Sequence, residues 1–340
     1  MNKDAKILVT GGNGHVGFNL VRMLLDDGYV NLRVSVRDKD DPQKTAALKA
    51  LGVSDIVSLE IRDAARFEEV CRGIDYLFHV AATYRFHTDS ATADAEMIKD
   101  SLEGVRSAMS AAAKCGVRKV ILTSSIVTLP IAKNGESIPD ETRWVENPQI
   151  PYLKAKSEAE RLAWSMADNL GINLVSLLLG AVLGPGFGRG TQSTDYVLAI
   201  TKGSMRMGTI AAKFPVIDVR DIVRGHILAA EKDAKGRYIL ATDNAPSFVE
   251  LIKIMRKIDP KVPGALMIIP RLFYGVLPAF DWLTSRILDA PRTATRAMVS
   301  PMRSGDMLAD NSKSKRDLGW SQQYTLEQTL RDTMRELKAA

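Results

Sequence analysis

The sequence predicts an α/β fold, a doubly wound parallel sheet joined to a smaller, mixed C-terminal lobe. Three observations predict it. Short apolar runs alternate with helix-patterned segments through the first half, as they do when a parallel sheet is covered on both faces. A glycine-rich stretch, Thr10-Gly11-Gly12-Asn13-Gly14-His15-Val16-Gly17, sits at the first strand-to-helix junction. After Gly180 the alternation loosens, and the loop Gly184-Pro185-Gly186-Phe187-Gly188-Arg189-Gly190 opens the lobe. On this reading residues 1–180 form the sheet domain, with 216–242 returning to it, and 181–215 plus 243–340 form the lobe.

The elements follow in order. Ile7-Leu8-Val9 is the first strand, and a helix runs from about Gly14 to Asp27. Leu32 to Val36 and Ile56 to Leu59 are the next strands, separated by a helix near Gln43 to Leu51. A short helix, Ala64 to Cys71, leads to the strand Tyr76 to Val80. A long helix from about Thr92 to Cys115 connects it to the fifth strand, Lys119 to Leu122. A helix from Pro151 to Asn169 precedes the sixth strand, Leu174 to Leu178. Later helices are expected near Arg220 to Glu231, Phe248 to Lys257 and Leu326 to Leu337.

Composition narrows the class. A chain of 340 residues with 46% hydrophobic and 25% charged residues reads as an ordinary globular protein. The formal charge of +6 is dispersed, with no Lys/Arg run, which argues against nucleic acid and leaves mild attraction for anionic ligands. Two cysteines, Cys71 and Cys115, form no C-x-x-C pair, so neither disulfides nor a zinc ribbon is expected and a cytoplasmic location fits. The N-terminus runs straight into the first strand, without the pattern of a signal peptide. The most apolar segment, Ala265 to Leu288, is interrupted by Pro270, Arg271, Pro278, Asp281 and Arg286. That argues against a membrane span and predicts a buried or substrate-covering helix, with loose contact of an amphipathic helix at a membrane interface as the alternative.

The glycine stretch carries the first chemical reading. Its spacing is G-x-x-G-x-x-G, on Gly11, Gly14 and Gly17. Glycine permits the sharp turn and the close approach of backbone to a pyrophosphate, which the N–H groups of the following helix then face. Between a strand and a helix, this predicts a dinucleotide-binding, Rossmann-type sheet. The second reading is Tyr152 and Lys156, at i and i+4 on one helix face, with Thr123-Ser124-Ser125 at the end of the fifth strand. Strand C-termini are where such sheets bind ligands.

With these residues in place, the chain resembles the extended branch of the short-chain dehydrogenase/reductases, the NAD-dependent epimerase/dehydratase superfamily. The matching stretches come in the family's order: T-G-G-N-G-H-V-G at Thr10, D-Y-L-F-H-V-A-A at Asp75, T-S-S at Thr123, Y-L-K-A-K at Tyr152, G-A-V-L-G-P-G at Gly180 and V-I-D-V-R-D-I at Val216. The tail from Asn311 to Trp320 is similar as well. Within the branch the chain is most similar to dihydroflavonol-4-reductase-like ketone and aldehyde reductases.

The resemblance implies roles. Tyr152 is the expected general acid, protonating a carbonyl oxygen as hydride reaches its carbon; Lys156 stabilises the phenolate and holds the nicotinamide ribose; Ser125 aligns the oxygen. Cofactor contacts are expected from Gly11, Gly12, Asn13, Gly14, His15, Val16 and Gly17, from Glu60 and Ile61 at the adenine, from Val80, Ala81 and Ala82, and from Thr123, Leu179, Gly180 and Val182. In His15 the backbone is expected to matter more than the ring. Arg37, at the end of the second strand, and Lys44 suit a 2′-phosphate and favour NADP(H); an inward Asp38 carboxylate would favour NAD. The chain departs from the family pattern at Leu178-Leu179, where Arg-Pro or Asn-Pro is usual, and at Ser101-Leu102-Glu103-Gly104-Val105, where N-V-x-G-T is usual.

The expected activity is reduction of an apolar ketone or aldehyde. Substrate contacts are assigned to Tyr84, Phe86, Ile126 and Met205, with Met207 and an apolar helix near Leu272 to Leu283. Pro130 stands where plant dihydroflavonol reductases often carry asparagine. The alternatives are an NAD-dependent nucleotide-sugar epimerase or dehydratase, a 3-beta-hydroxysteroid dehydrogenase-like enzyme, and a non-catalytic NADP sensor. Arg37, and the lack of an arginine in the stretch Gly208 to Pro215, speak against the sugar enzymes; the complete Ser-Tyr-Lys set speaks against the sensor. His79, His87 and His226 lack metal-ligand spacing, so no metal is expected, and His226 is assigned a structural role. Asp218, Arg220 and Asp221 are expected to form a lobe-linking ion network. The partner is a small molecule, and the chain is a monomer or a homodimer.

Overall fold

The computed structural model describes residues 1–82, 90–133, 135–186, 188, 190–191, 193–292 and 294–339. Five strands and five helices alternate first: β1 Ile7–Thr10, α1 His15–Asp26, β2 Leu32–Val36, α2 Pro42–Ala50, β3 Asp55–Ser58, α3 Ala64–Cys71, β4 Tyr76–His79, α4 Ala91–Cys115, β5 Lys119–Ser125 and α5 Pro151–Leu170. The strands Leu174–Leu179 and Gly236–Leu240 complete a seven-stranded sheet. Every pairing in it is parallel, in the order Gly236–Leu240, Leu174–Leu179, β5, β4, β1, β2, β3. The order reverses direction at β1, which places the ligand crevice at the strand C-termini beside it.

Local chemistry sets the element ends. Asp41 caps α2 by accepting from the Gln43 N–H, with Pro42 at the first helical position. Ser90 caps α4, and Gly116 ends it in the left-handed conformation. Two apolar layers cover the sheet. α1, α2 and the helix Val219–Glu231 pack on one face around Leu20, Leu24 and Ile227; α3, α4 and α5 pack on the other around Phe67, Met109 and Ala163. A third core, built on Phe214, Phe248, Met255 and Met334, belongs to the lobe.

The C-terminal segment departs from the expected partition. Residues 311–320 pack on the sheet, because the Ser314 hydroxyl donates to the Ile239 carbonyl (2.6 Å), the Trp320 indole donates to the Asp221 carbonyl (2.9 Å), and Leu318 and Trp320 join the core on the face that the helix Val219–Glu231 covers. Arg220 links sheet and lobe, reaching Asp218 (2.8 Å) and Asp332 (2.9 Å) on the last helix, Leu326–Ala339.

Candidate active site

One continuous cavity of about 790 Å³ follows the strand C-termini and runs between sheet and lobe. That lies within the range of small-molecule sites, roughly 300–1,000 Å³. Part of its wall is the turn joining β1 to α1. Gly11 has φ +70°, and a Cβ there would come within 3.0 Å of the Ala81 backbone. A Cβ on Gly17 would stand 2.2 Å from the Gly11 carbonyl oxygen, so only glycine lets the turn close this tightly. Gly11, Asn13, Gly14, His15, Val16 and Gly17 line the cavity. Gly12 does not: it packs against Val34, and its N–H donates to the Ser35 carbonyl (2.9 Å).

This turn is a fitting cradle for a dinucleotide, since it brings bare backbone and the N-terminus of α1 to the cavity wall. The His15 ring has a task of its own. Its Nε2 donates to the Gly184 carbonyl (3.1 Å), tying the turn to the loop that opens the lobe. Burial holds its pKa below the ordinary histidine value. The Thr10 hydroxyl accepts from the Val80 and Ala81 N–H groups (3.1 and 3.0 Å) and shares a bond with His79 Nδ1 (3.1 Å), so β4 ends in a fixed shape. Val80, Ala81 and Ala82 line the cavity there.

At the β2 end the wall carries Arg37, Lys44, Glu60 and Ile61. Arg37 is 78% exposed and rests 3.6 Å from the Glu60 carboxylate; Lys44 pairs with Asp41 (3.0 Å). Asp38 is not part of this wall, and its carboxylate accepts from the Asp40 N–H (3.0 Å) in an exposed turn. Ser35 and Arg62 also line this end and carried no sequence signal of their own.

Ser125, Tyr152 and Lys156 all line the same cavity. Tyr152 and Lys156 share a face of α5, and Tyr152 is 3% exposed. Burial pushes the Lys156 pKa down to about 8, against the pull of the Glu160 carboxylate one turn further on. Glu160 is the main residue that sequence reasoning missed. Its carboxylate accepts from the Ser124 hydroxyl (2.7 Å) and from Arg237 Nε (2.9 Å). Arg237 also donates to the Glu141 and Arg143 carbonyls (2.7 and 2.8 Å) and to the Thr128 hydroxyl (2.7 Å), and stacks on the Trp144 ring at 3.6 Å. The spacing Tyr152, Lys156, Glu160 at i, i+4, i+8 was the available signal. Both Ser124 and Ser125 line the cavity, but the Ser124 hydroxyl is committed to Glu160.

The adjoining Thr123 is fixed by His226. Burial lowers the His226 pKa to about 4 and keeps the ring neutral. Its Nδ1 donates to the Ile222 carbonyl (2.9 Å), leaving Nε2 to accept the Thr123 hydroxyl (2.9 Å). His79 is likewise buried, at about 4, with the Lys156 charge lowering it further. Leu179, Gly180 and Val182 complete the sheet side of the wall, and Thr123 lies on it too.

The substrate end differs from the sequence expectation. Ile126 lines the cavity, but Met205 does not: its sulfur receives the Thr209 hydroxyl at 3.7 Å and it packs into the lobe core. Met207 is exposed, and no residue of the expected helix Leu272 to Leu283 reaches the cavity. Tyr84, Phe86 and His87 lie outside the described residues. The lobe wall is instead Tyr196, Phe214, Met298, Met302 and Met307, brought together from segments that carry no motif. The Tyr196 hydroxyl donates to the Met298 sulfur (2.7 Å).

Residues 7–241 match the family model described as "NAD dependent epimerase/dehydratase family". By sequence the chain is 33% identical over 273 residues to cinnamoyl-CoA reductase 2 of Arabidopsis thaliana, spanning 76% of this chain and 80% of that one. It is 31% identical over 280 residues to an anthocyanidin reductase ((2S)-flavan-3-ol-forming) of Vitis vinifera, spanning 75% and 82%. By structure it resembles yeast methylglyoxal/isovaleraldehyde reductase Gre2 complexed with NADPH, with TM-score 0.77, 20% identity and 98% of both chains covered, a likeness of fold.

Proposed function

Because this chain belongs to the NAD dependent epimerase/dehydratase family and its sequence relatives are reductases, we propose that it is an NADPH-dependent reductase of apolar ketones or aldehydes. The observation that supports this best is one cavity holding the glycine turn, the Ser125–Tyr152–Lys156 set and a methionine-rich lobe wall. When bound, the reduced nicotinamide supplies the hydride.

The chain's own residues do the rest. The N–H groups at the start of α1 receive the pyrophosphate, and Arg37 with Lys44 receives the 2′-phosphate, Arg37 leaving Glu60 to do so. Residues 1–180 with 216–242 serve as the cofactor domain. Ser125 donates a hydrogen bond to the substrate's carbonyl oxygen, and Tyr152 delivers a proton to the same oxygen. The Lys156 ammonium stabilises the phenolate left behind, and the Glu160 carboxylate one turn away favours the charged form of Lys156. Methionines in the lobe wall adapt their shape to an apolar substrate.

The test is a panel of aliphatic and aryl ketones, aldehydes and UDP-sugars, each offered with NADPH and with NADH while cofactor oxidation is followed. The expected result is oxidation of NADPH by apolar carbonyls. Interconversion of sugars without net cofactor oxidation would instead make the chain an epimerase. Arg37→Ser is expected to weaken NADPH binding by about 10- to 100-fold, the worth of a charge-assisted phosphate contact, and to leave NADH binding nearly unchanged. Equal or tighter binding of NADH by the parent protein would contradict the cofactor assignment.

A further inference from the structure

The apolar segment Ala265 to Leu288, expected to be buried or to cover the substrate, forms an outer face of the lobe. Among the described residues, eleven of the fifteen exposed large apolar side chains fall between Leu266 and Leu288, and Leu272 is 80% exposed. Met207 adjoins them, since the Leu266 N–H donates to the Arg206 carbonyl (2.8 Å) and the Thr209 N–H to the Met267 carbonyl (3.1 Å). The helix Leu277–Ile287 continues the face. Together with Val276 just before it, it places Phe280, Leu283 and Ile287 at i, i+4, i+7 and i+11, all exposed. A surface helix ordinarily turns such a stripe inward.

This helix is held the other way round. Its inward face carries Leu277 and Asp281. The Asp281 carboxylate accepts from Arg292 Nε and from the Ala294 N–H, each at 3.0 Å. Rolling the stripe inward would expel this pair, so the outward orientation is built in.

The charge around the face selects its occupant. Residues 264–303 contain five arginines and two acids. One acid, Asp281, is buried against Arg292. Arg286, Arg296 and Arg303 are exposed, as is the neighbouring Arg206, and the Arg286 guanidinium lies 4.1 Å from the Trp282 ring. A second copy on this face would set arginines against their own images. An anionic bilayer meets both needs, taking the aromatic and aliphatic side chains into its interface and pairing the arginines with headgroups. No helix among the described residues is long and apolar enough to cross a membrane, so the face would lie on the surface. We infer that the Leu266–Leu288 face docks on an anionic phospholipid surface. The helix Arg296–Val299 and the turn Pro301–Arg303, which follow it in the chain, supply Met298 and Met302 to the cavity, so the docking face adjoins the cavity wall.

The experiment is co-sedimentation of the full chain with vesicles of phosphatidylcholine alone or mixed with phosphatidylglycerol. Binding is expected with phosphatidylglycerol and is expected to weaken as salt rises. The double variant Phe280→Glu/Leu283→Glu, whose new carboxylates face solvent, should keep its melting midpoint and lose about tenfold or more of its partitioning. Arg286→Gln should lose about fivefold. These readouts are independent of turnover. Absence of sedimentation with either vesicle would overturn the inference. So would a parent dimer that the double variant breaks, which would assign the face to a second copy.

Discussion

Replacing Tyr152 by phenylalanine is expected to lower kcat for ketone reduction by about 10²- to 10⁴-fold, the usual worth of a positioned general acid. The substitution removes one oxygen from a side chain that is 3% exposed and packs with Met97, Val127 and Leu153. The ring remains, so α5 and the wall it forms should keep their shape. The glycine turn and Arg37 lie elsewhere on the cavity wall, so the dissociation constant for NADPH should be essentially unchanged. The two measurements together separate loss of a proton donor from loss of a binding site. A variant with parental kcat would show that another group supplies the proton.

Glu160→Ala is expected to destabilise the chain by about 3–5 kcal/mol, the cost of leaving one member of a buried ion pair alone. Arg237 and Glu160 are 7% and 1% exposed at their side chains. Without the carboxylate, Arg237 keeps two carbonyls and the Thr128 hydroxyl but no countercharge. Denaturant unfolding of both proteins measures the difference, and equal midpoints would contradict the assignment. The milder Glu160→Gln carries a second readout. Lys156 titrates at about 8 because burial disfavours its charge, and Glu160 opposes that shift. Below about 8 the ammonium is present, and above it is lost, so kcat/KM of the parent should fall as pH rises through about 8. Removing the Glu160 charge should move that limb to lower pH. An unmoved limb would mean that Lys156 does not control it.

What the sequence made legible was local. β1, α1 and the glycines between them occupy consecutive residues, and Tyr152 and Lys156 sit one turn apart, so pattern and spacing suffice. Parallel strands are buried on both faces, and their near-continuous apolar runs stand out. What was not legible depends on distant contacts. Glu160 and Arg237 are separated by 77 positions, His226 and Thr123 by 103, and His15 and Gly184 by 169. The lobe wall of Tyr196, Met298 and Met302 comes from short helices and a helical turn, too brief to show a repeating pattern. Met205 and Met298 look alike in sequence, yet one fills the lobe core and the other lines the cavity. The segment Ala265 to Leu288 lies outward rather than buried for a physical reason. Apolar composition ordinarily signals burial, whereas here the Asp281–Arg292 pair takes the inward side and turns the stripe out.

Whether Tyr152 and Lys156 act on a bound substrate and cofactor is tested by a crystal structure of the chain with NADP⁺ and an alcohol product bound. In that complex the Tyr152 hydroxyl is expected within hydrogen-bond distance of the alcohol oxygen, the Lys156 ammonium on the nicotinamide ribose, and Arg37 on the 2′-phosphate. A dinucleotide bound with Tyr152 and Lys156 facing away from its nicotinamide end would contradict those roles.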